Sequence, residues 1–218
     1  MNPAIQDYTK AIYTLEERAS GEAVTTTALA DRLGVTAGSV SAMIKKLDAV
    51  GLVTHEPYRG VTLTAQGRRV ALEVIRHHRL IELFLAEVLD MPWDRVHDEA
   101  EVLEHVISEE LEGLIAAKLG NPTADPHGDP IPTAELELPE QRCVALQDLE
   151  RGSRGRFARV SDADPEMLRW LAERDVRPGD ALEVLDRQPF GGPLTVAVGG
   201  AVHVLGGGIA AAMRIELG

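Results

Sequence analysis

The sequence predicts an α+β multidomain protein with an N-terminal winged helix-turn-helix, a helical middle domain and a small C-terminal β-barrel. Three observations carry this expectation. Apolar residues recur at helical spacing up to about residue 119, interrupted by one hairpin signal. Residues 120–140 then hold five of the chain's 12 prolines, the composition of a linker. Beyond it lie 11 of the 20 glycines among short extended runs. The expected domains are therefore 1–73, 74–140 (ending in the proline-rich linker) and 141–218.

Taken in order, Pro3 opens an amphipathic run (Ile5, Tyr8, Ile12, Leu15) that predicts a first helix to about Ala19. Thr25–Thr27 offer N-caps for a short helix through Leu29 and Leu33, closed by Gly34. Thr36 caps a second, whose stripe is Val40, Ile44, Leu47 and Val50, and Gly51 ends it. Leu52–His55 and Val61–Thr64 read as strands joined by a turn around Pro57–Gly60. From Thr64 the helical pattern returns through Val70, Val74, Leu80, Phe84 and Val88, and another long helix is expected from about Trp93 to Leu119. In the last third, Arg156–Val160, Ala181–Asp186, Leu194–Val198, Val202–Leu205 and Met213–Leu217 read as strands, with one helix near Pro165–Glu173.

Composition narrows the function. With 44% hydrophobic and 26% charged residues, the 218-residue chain is an ordinary globular sequence with length enough for a real core. No apolar run approaches the roughly 18 residues a membrane helix needs, and Met1 opens no signal pattern, so no membrane partner is expected. A single cysteine, Cys143, excludes an internal disulfide framework and suits a reducing cytoplasm. The net charge of −13 argues against nucleic acid until its distribution is read. Residues 1–80 carry 10 Lys+Arg against 8 Asp+Glu, a net of +2, whereas the other 138 carry 12 against 27, a net of −15. The first third is free to meet phosphate.

Short helix, tight turn, longer helix and hairpin over Thr25–Thr64 form the plan of a winged helix-turn-helix, whose second helix enters the major groove of double-stranded DNA by its N-terminal residues. Those residues are Thr36, Ala37, Gly38, Ser39 and Ser41, small enough for close approach but able to read few base edges. Lys45, Lys46 and Arg59, with Arg68 and Arg69 beyond, are placed to neutralise phosphates. A unit used only for packing, or for binding protein, has the same outline.

The second motif is a set of polar side chains where a core is expected. His78 and Glu82 are four apart and share a helix face. His97, Glu101, Glu104 and His105 fall at i, i+4, i+7 and i+8, one stripe of a continuous helix. Carboxylates and imidazoles so arranged converge on a cation; without one, Glu101 and Glu104 would repel each other. A solvated acidic face is the plainer reading, since Asp98, Glu99, Glu109 and Glu110 lie nearby. A hydrolytic metalloenzyme could use the same atoms, but the sequence has no His-Glu-x-x-His and no separate nucleophile, so no enzyme is expected. A metal-independent winged-helix regulator, its acidic helix used for dimerisation, stays open.

The stretch His78-Arg-Leu-Ile-Glu82 followed by Val96-His97-Asp-Glu-Ala-Glu101-Val-Leu-Glu104-His105 resembles the metal-binding helices of the diphtheria-toxin-repressor family of metal-dependent transcriptional regulators. The resemblance runs the full chain, through Asp7-Tyr8 and Ile12-Tyr13, the winged helix, and Pro126-His-Gly-Asp-Pro-Ile-Pro132. The glycine-rich third domain is similar to the SH3-like (FeoA-like) domain of longer members. The resemblance implies a homodimer that binds a palindromic operator when loaded with divalent metal, and it implies two ions per chain. A primary site would take Asp7, Glu101, Glu104 and His105. An ancillary site would take His78, Glu82 and His97, completed from the third domain by Asp162 and Asp164.

Two departures bear on the metal. Iron-dependent members of the family carry methionine and cysteine where this chain has Asp7 and Glu101. Manganese-dependent two-domain members carry a glutamate where this chain has Lys10, so their closely spaced metal pair gives way here to two separated sites. Hard carboxylates favour Mn(II) over Fe(II). The resemblance thus points to the manganese-responsive branch and to control of metal-uptake genes, with an Fe(II)-dependent repressor as the alternative.

Overall fold

The computed structural model describes residues 2–19, 21–139 and 141–218; Met1, which opens the first expected domain, Glu140, which closes the second, and Ser20 lie outside the described residues. The chain forms two units. The first comprises the residues up to His78 with Glu104–Ile107 and Pro132–Glu137; the second comprises Arg79–Leu103, Ser108–Ile131 and Leu138–Gly218.

The first unit is built by its caps. Helix α1 (Pro3–Arg18) begins where the Asn2 side chain accepts the Ala4 N–H at 2.9 Å, with Pro3 fixing the first turn. Thr25 caps α2 (Thr26–Leu33), which Gly34 closes in the left-handed conformation (φ 65°). Thr36 caps α3 (Ala37–Ala49) by accepting the Ser39 N–H at 3.2 Å. Strands β1 (Val53–Glu56) and β2 (Gly60–Leu63) pair antiparallel, Val53 opposite Leu63, and form the wing. Tyr8, Ile12, Val24, Leu29, Val40, Ile44, Leu47 and Val61 bury into one core, so the spacing of apolar residues fixes which face of α3 stays outside. Helix α4 (Ala65–Leu89) contributes residues to both units.

The second unit holds α5 (Val96–Leu103), α6 (Glu109–Lys118) and a six-stranded antiparallel sheet. Its strands are β3 (Cys143–Ala145), β4 (Arg154–Val160), β5 (Ala181–Arg187), β6 (Leu194–Val198), β7 (Ala201–Leu205) and β8 (Met213–Leu217), in the order β3-β8-β4-β5-β6-β7. Helices α7 (Pro165–Ala172) and α8 (Gly207–Ala212) accompany it. Phe157, Leu168, Leu171, Val184, Val196, Met213 and Ile215 form its core, and Trp93 packs on that core while its Nε1 donates to the Leu168 carbonyl at 3.1 Å.

The α+β plan stands, with two departures. The helix expected from Trp93 to Leu119 is broken after Leu103: Glu104–Val106 form a turn, and α6 starts afresh where Ser108 accepts the Leu111 N–H at 3.2 Å. The Ser108 cap and the acidic Glu109, Glu110 and Glu112 in the next turn favour a new N-terminus over continuation. Glu104 and His105 therefore leave the helix that carries His97 and Glu101. The expected linker is also packed rather than solvated, since Asp125, His127 and Ile131 are buried. Strand β3 and helix α8 were not expected; three residues and an Ala-Gly run give too little pattern.

Gly128 shows why residues 125–131 are held. Its φ is +88°, and a Cβ there would lie 1.9 Å from the Ala158 carbonyl oxygen of β4. Val160 N–H donates to the His127 carbonyl at 2.9 Å beside it. Gly128→Ala should destabilise the protein by at least about 2 kcal/mol in chemical denaturation, from the left-handed conformation and the clash together. A change within about 0.5 kcal/mol, the scatter of ordinary surface substitutions, would show that this loop is not pinned to β4.

Candidate metal centre and nucleic-acid interface

In the first unit, Asp7 and Lys10 lie one turn apart on α1, and Glu104 and His105 lie in the turn that follows the α5 sequence. Asp7, Glu104 and His105 offer ligand atoms within 4.8 Å of one another. His105 Nε2 is 3.0 Å from Asp7 Oδ1 and 3.7 Å from Glu104 Oε1, while its Nδ1 is 3.0 Å from Gln6 Oε1. With Nδ1–H donating to Gln6, Nε2 faces two carboxylates and needs a proton or a metal between them. Glu104 is 1% exposed. Its Oε2 lies 2.5 Å from His78 Nδ1, and Lys10 Nζ donates to both its oxygens at 2.8 and 2.7 Å.

The second unit holds another cluster. Glu82, 1% exposed on α4, faces His97 Nδ1 from α5 at 3.3 Å, and Asp162 Oδ2 reaches the same nitrogen at 3.0 Å. The hydrogen bond to Asp162, then that to Glu82, pushes the His97 imidazole up to about 10, against the opposing effect of burial. Burial works against the Asp162 charge, but the hydrogen bond and charge of His97 outweigh it and hold that carboxyl below the usual range. Glu82, Asp125 and His127 also bring ligand atoms within 4.8 Å of one another, all three buried. His127 stacks on Trp93 (ring centroids 5.6 Å apart), and its Nε2–H donates to the Trp93 carbonyl at 2.8 Å. That leaves Nδ1 as the lone-pair nitrogen, 3.9 Å from Glu82 Oε2, an imidazole oriented as metal-bound ones are by a carbonyl on the far side. Burial, then the charges of Glu82 and Asp129, raise the Asp125 carboxyl, although Arg79 lies 3.7 Å away. Buried carboxylates and imidazoles converging in this way fit a divalent cation of borderline or hard character.

The expected ligands are thus redistributed. Asp7, Glu104 and His105 come together, and His78, expected with Glu82, has its Nδ1 on Glu104. Glu101 belongs to the second unit, 3.7 Å from His97 Nε2. Glu82, His97 and Asp162 come together; Asp164 does not join them, because its Oδ1 caps α7 by accepting the Glu166 and Met167 N–H groups. Asp125 and His127 were missed. The signal was present, an Asp and a His flanking Pro126, but a proline-rich run was read as solvated.

The second helix of the winged unit presents Thr36, Ala37, Gly38, Ser39, Ser41, Lys45 and Lys46 to solvent, and Arg59 projects from the wing. Ser39 Oγ lies 2.9 Å from Thr36 Oγ1 and Ser41 donates to the Ala37 carbonyl, so these hydroxyls lie close on the helix. Arg59 pairs with exposed Glu56 at 3.3 Å. Arg68 is engaged by Glu16 and Glu17 and lies over the Tyr13 ring, which makes it a less available phosphate ligand than Lys45, Lys46 or Arg59.

Three family models match in succession. Residues 1–61 match the iron dependent repressor N-terminal DNA binding domain, residues 64–133 the iron dependent repressor metal binding and dimerisation domain, and residues 144–217 the FeoA domain. The iron-dependent repressor IdeR of Mycobacterium tuberculosis is 33% identical over 221 residues, covering 96% of this chain and 95% of that protein. The chain belongs to the diphtheria-toxin-repressor family of metal-dependent transcriptional repressors. The family consists of regulators, not enzymes. The diphtheria toxin repressor of Corynebacterium efficiens is 31% identical over 219 residues (96% of this chain, 93% of that protein). Among solved structures, a manganese-dependent transcriptional repressor in complex with manganese is 44% identical, with a TM-score of 0.86 over 98% of this chain and 99% of that one. No helix of the described residues is long and apolar enough to cross a membrane.

His97 gives the second cluster a pH dependence. Its value in the fold lies above the ordinary 6.5, so its contribution to stability is complete below about pH 6.5 and is lost as pH rises through about 10. A metal takes the neutral imidazole, so loading there must expel the proton. Calorimetric titration with Mn(II) at pH 7.5 in two buffers of different ionisation enthalpy should show about one proton more released by the parent than by His97→Ala. Buffer-independent heats for the parent protein would contradict this. Asp162→Asn should weaken the same cluster, whereas Asp164→Ala should leave metal binding intact and cost about 1 kcal/mol for the lost cap.

Proposed function

We propose that the protein is an Mn(II)-activated repressor that binds palindromic operator DNA as a dimer and silences metal-uptake genes in the cytoplasm, with two ions per chain. In this reading residues 1–73 bind DNA, 74–140 hold metal and the dimer interface, and 141–218 complete the second site. Asp7, Glu104 and His105 form the primary ligand set. Glu82, His97 and Asp162, with Asp125 and His127 added, supply the second. The observation that carries the choice of metal is the donor chemistry: every side chain in these sets is a carboxylate or an imidazole, with no thiolate or thioether. Mn(II) is the weakest binder of its series and gains from a charge-rich oxygen site. The iron-dependent relatives keep Fe(II) as the second reading, since iron tolerates mixed oxygen and imidazole ligands.

Bound at the primary set, a divalent ion supplies positive charge that neutralises several carboxylates at once. The chain's own residues do the rest. Asp7 sits on α1, which packs in the core of the DNA-binding unit with Ile12 and Val40, so drawing Asp7 toward Glu104 and His105 fixes the helix behind the recognition surface. In a dimer the two recognition helices must lie about one DNA turn apart, roughly 34–36 Å, and ordering of α1 shifts the population toward that spacing.

Binding to the protein's own promoter, followed by gel shift or anisotropy with each metal, tests the reading. Mn(II) should activate binding in cells better than Fe(II), and Asp7→Met combined with Glu101→Cys should narrow the gap. Repression that answers to iron and stays silent toward manganese would overturn the choice of metal. Lys46→Ala or Arg59→Ala should weaken binding to all sequences alike and lower the salt slope by about one, whereas Ser39 substitutions should change preference among operators. An unchanged slope would remove the proposed docking face.

A further inference from the structure

Glu104 is buried in the first unit, and one of its partners is itself a cation. Lys10 Nζ donates to Oε1 at 2.8 Å and to Oε2 at 2.7 Å, with side-chain exposures of 15% for Lys10 and 0% for Glu104. The same ammonium lies 3.4 Å from His78 Nδ1. Lys10 is three residues beyond Asp7, so one turn of α1 carries both a carboxylate of the primary set and the ammonium that holds another.

We propose that Lys10 competes with the divalent ion for Glu104 and so sets the metal concentration at which the protein responds. This rests on the metal-gated reading above. An ion held by Asp7, Glu104 and His105 shares a carboxylate whose two oxygens both carry hydrogen bonds from Lys10. Ammonium and divalent ion would then face each other across one buried group, where screening by water is weak. Lysine offers no lone pair while protonated, so it cannot join the coordination shell. Its four-carbon stem allows the head to withdraw toward solvent while the methylenes stay packed. The clamp also changes what the metal works against: the carboxylates of the set do not simply repel one another, because Lys10 neutralises the buried one. Binding then exchanges one cation for another and is weaker than at a bare carboxylate cluster.

Calorimetry with Mn(II) on the full-length parent, Lys10→Met and Lys10→Arg tests this, with Asp7→Ala identifying the primary site. Lys10→Met should bind at least tenfold tighter at that site, about 1.4 kcal/mol, while Lys10→Arg stays within a few-fold of the parent. Thermal unfolding without metal should show Lys10→Met lowered in Tm and more strongly rescued by Mn(II) than the parent. A second measurement needs no substitution: amine labelling of the parent read by mass spectrometry should find Lys10 more reactive at saturating Mn(II) than without it. Equal or weaker binding in Lys10→Met, or Lys10 labelling that falls on loading, would overturn the competition while leaving metal gating in place. A parent protein that binds no Mn(II) would overturn the functional reading and this proposal together.

Discussion

Two carboxylates, Glu82 and Glu104, are each 1% exposed, and much of the surrounding chemistry answers to that constraint. A buried carboxylate is tolerated only with a cation and hydrogen bonds to satisfy it. Glu104 draws the Lys10 ammonium and the His78 imidazole; Glu82 draws His97, which Asp162 approaches from a third-domain loop. On α1 the face opposite Lys10 turns into an apolar core, where Ile12 is fully buried. Polar groups placed at such a cost to stability are expected where a ligand repays it.

The fold was legible wherever a local rule acts alone. The caps at Thr25 and Thr36, the stop at Gly34 and the strands at Leu194–Val198 and Met213–Leu217 follow from side-chain chemistry and period, which tertiary contacts did not override. The break after Leu103 was not legible, because His97, Glu101, Glu104 and His105 continue a helical period that the Ser108 cap interrupts. Packing of the proline-rich run was hidden for another reason: Asp125, His127 and Gly128 are held by Trp93 and β4, partners distant in sequence.

The site was legible as a list of residue types and less so as a grouping. Asp7, Glu104 and His105 converge although 97 residues separate Asp7 from Glu104, and only a resemblance could have linked them. Asp164 had the right chemistry two residues beyond Asp162, at the N-cap of α7, where the orphan N–H groups of the first turn claimed its carboxylate. Lys10 stood out as a departure from a metal pair, but that its ammonium reaches Glu104 is a fact of packing.

The two clusters share a ligand chemistry but differ in the cation each already contains, and that difference separates their responses. At Glu104 the resident cation is the Lys10 ammonium, so a metal must displace a side chain. At Glu82 it is the His97 imidazolium, raised to about 10 by Asp162 and Glu82, so a metal must displace a proton. Acidification therefore opposes loading of the second cluster through the His97 proton. If loading of both is needed for full repression, the first cluster sets the threshold in metal and the second makes that threshold move with pH.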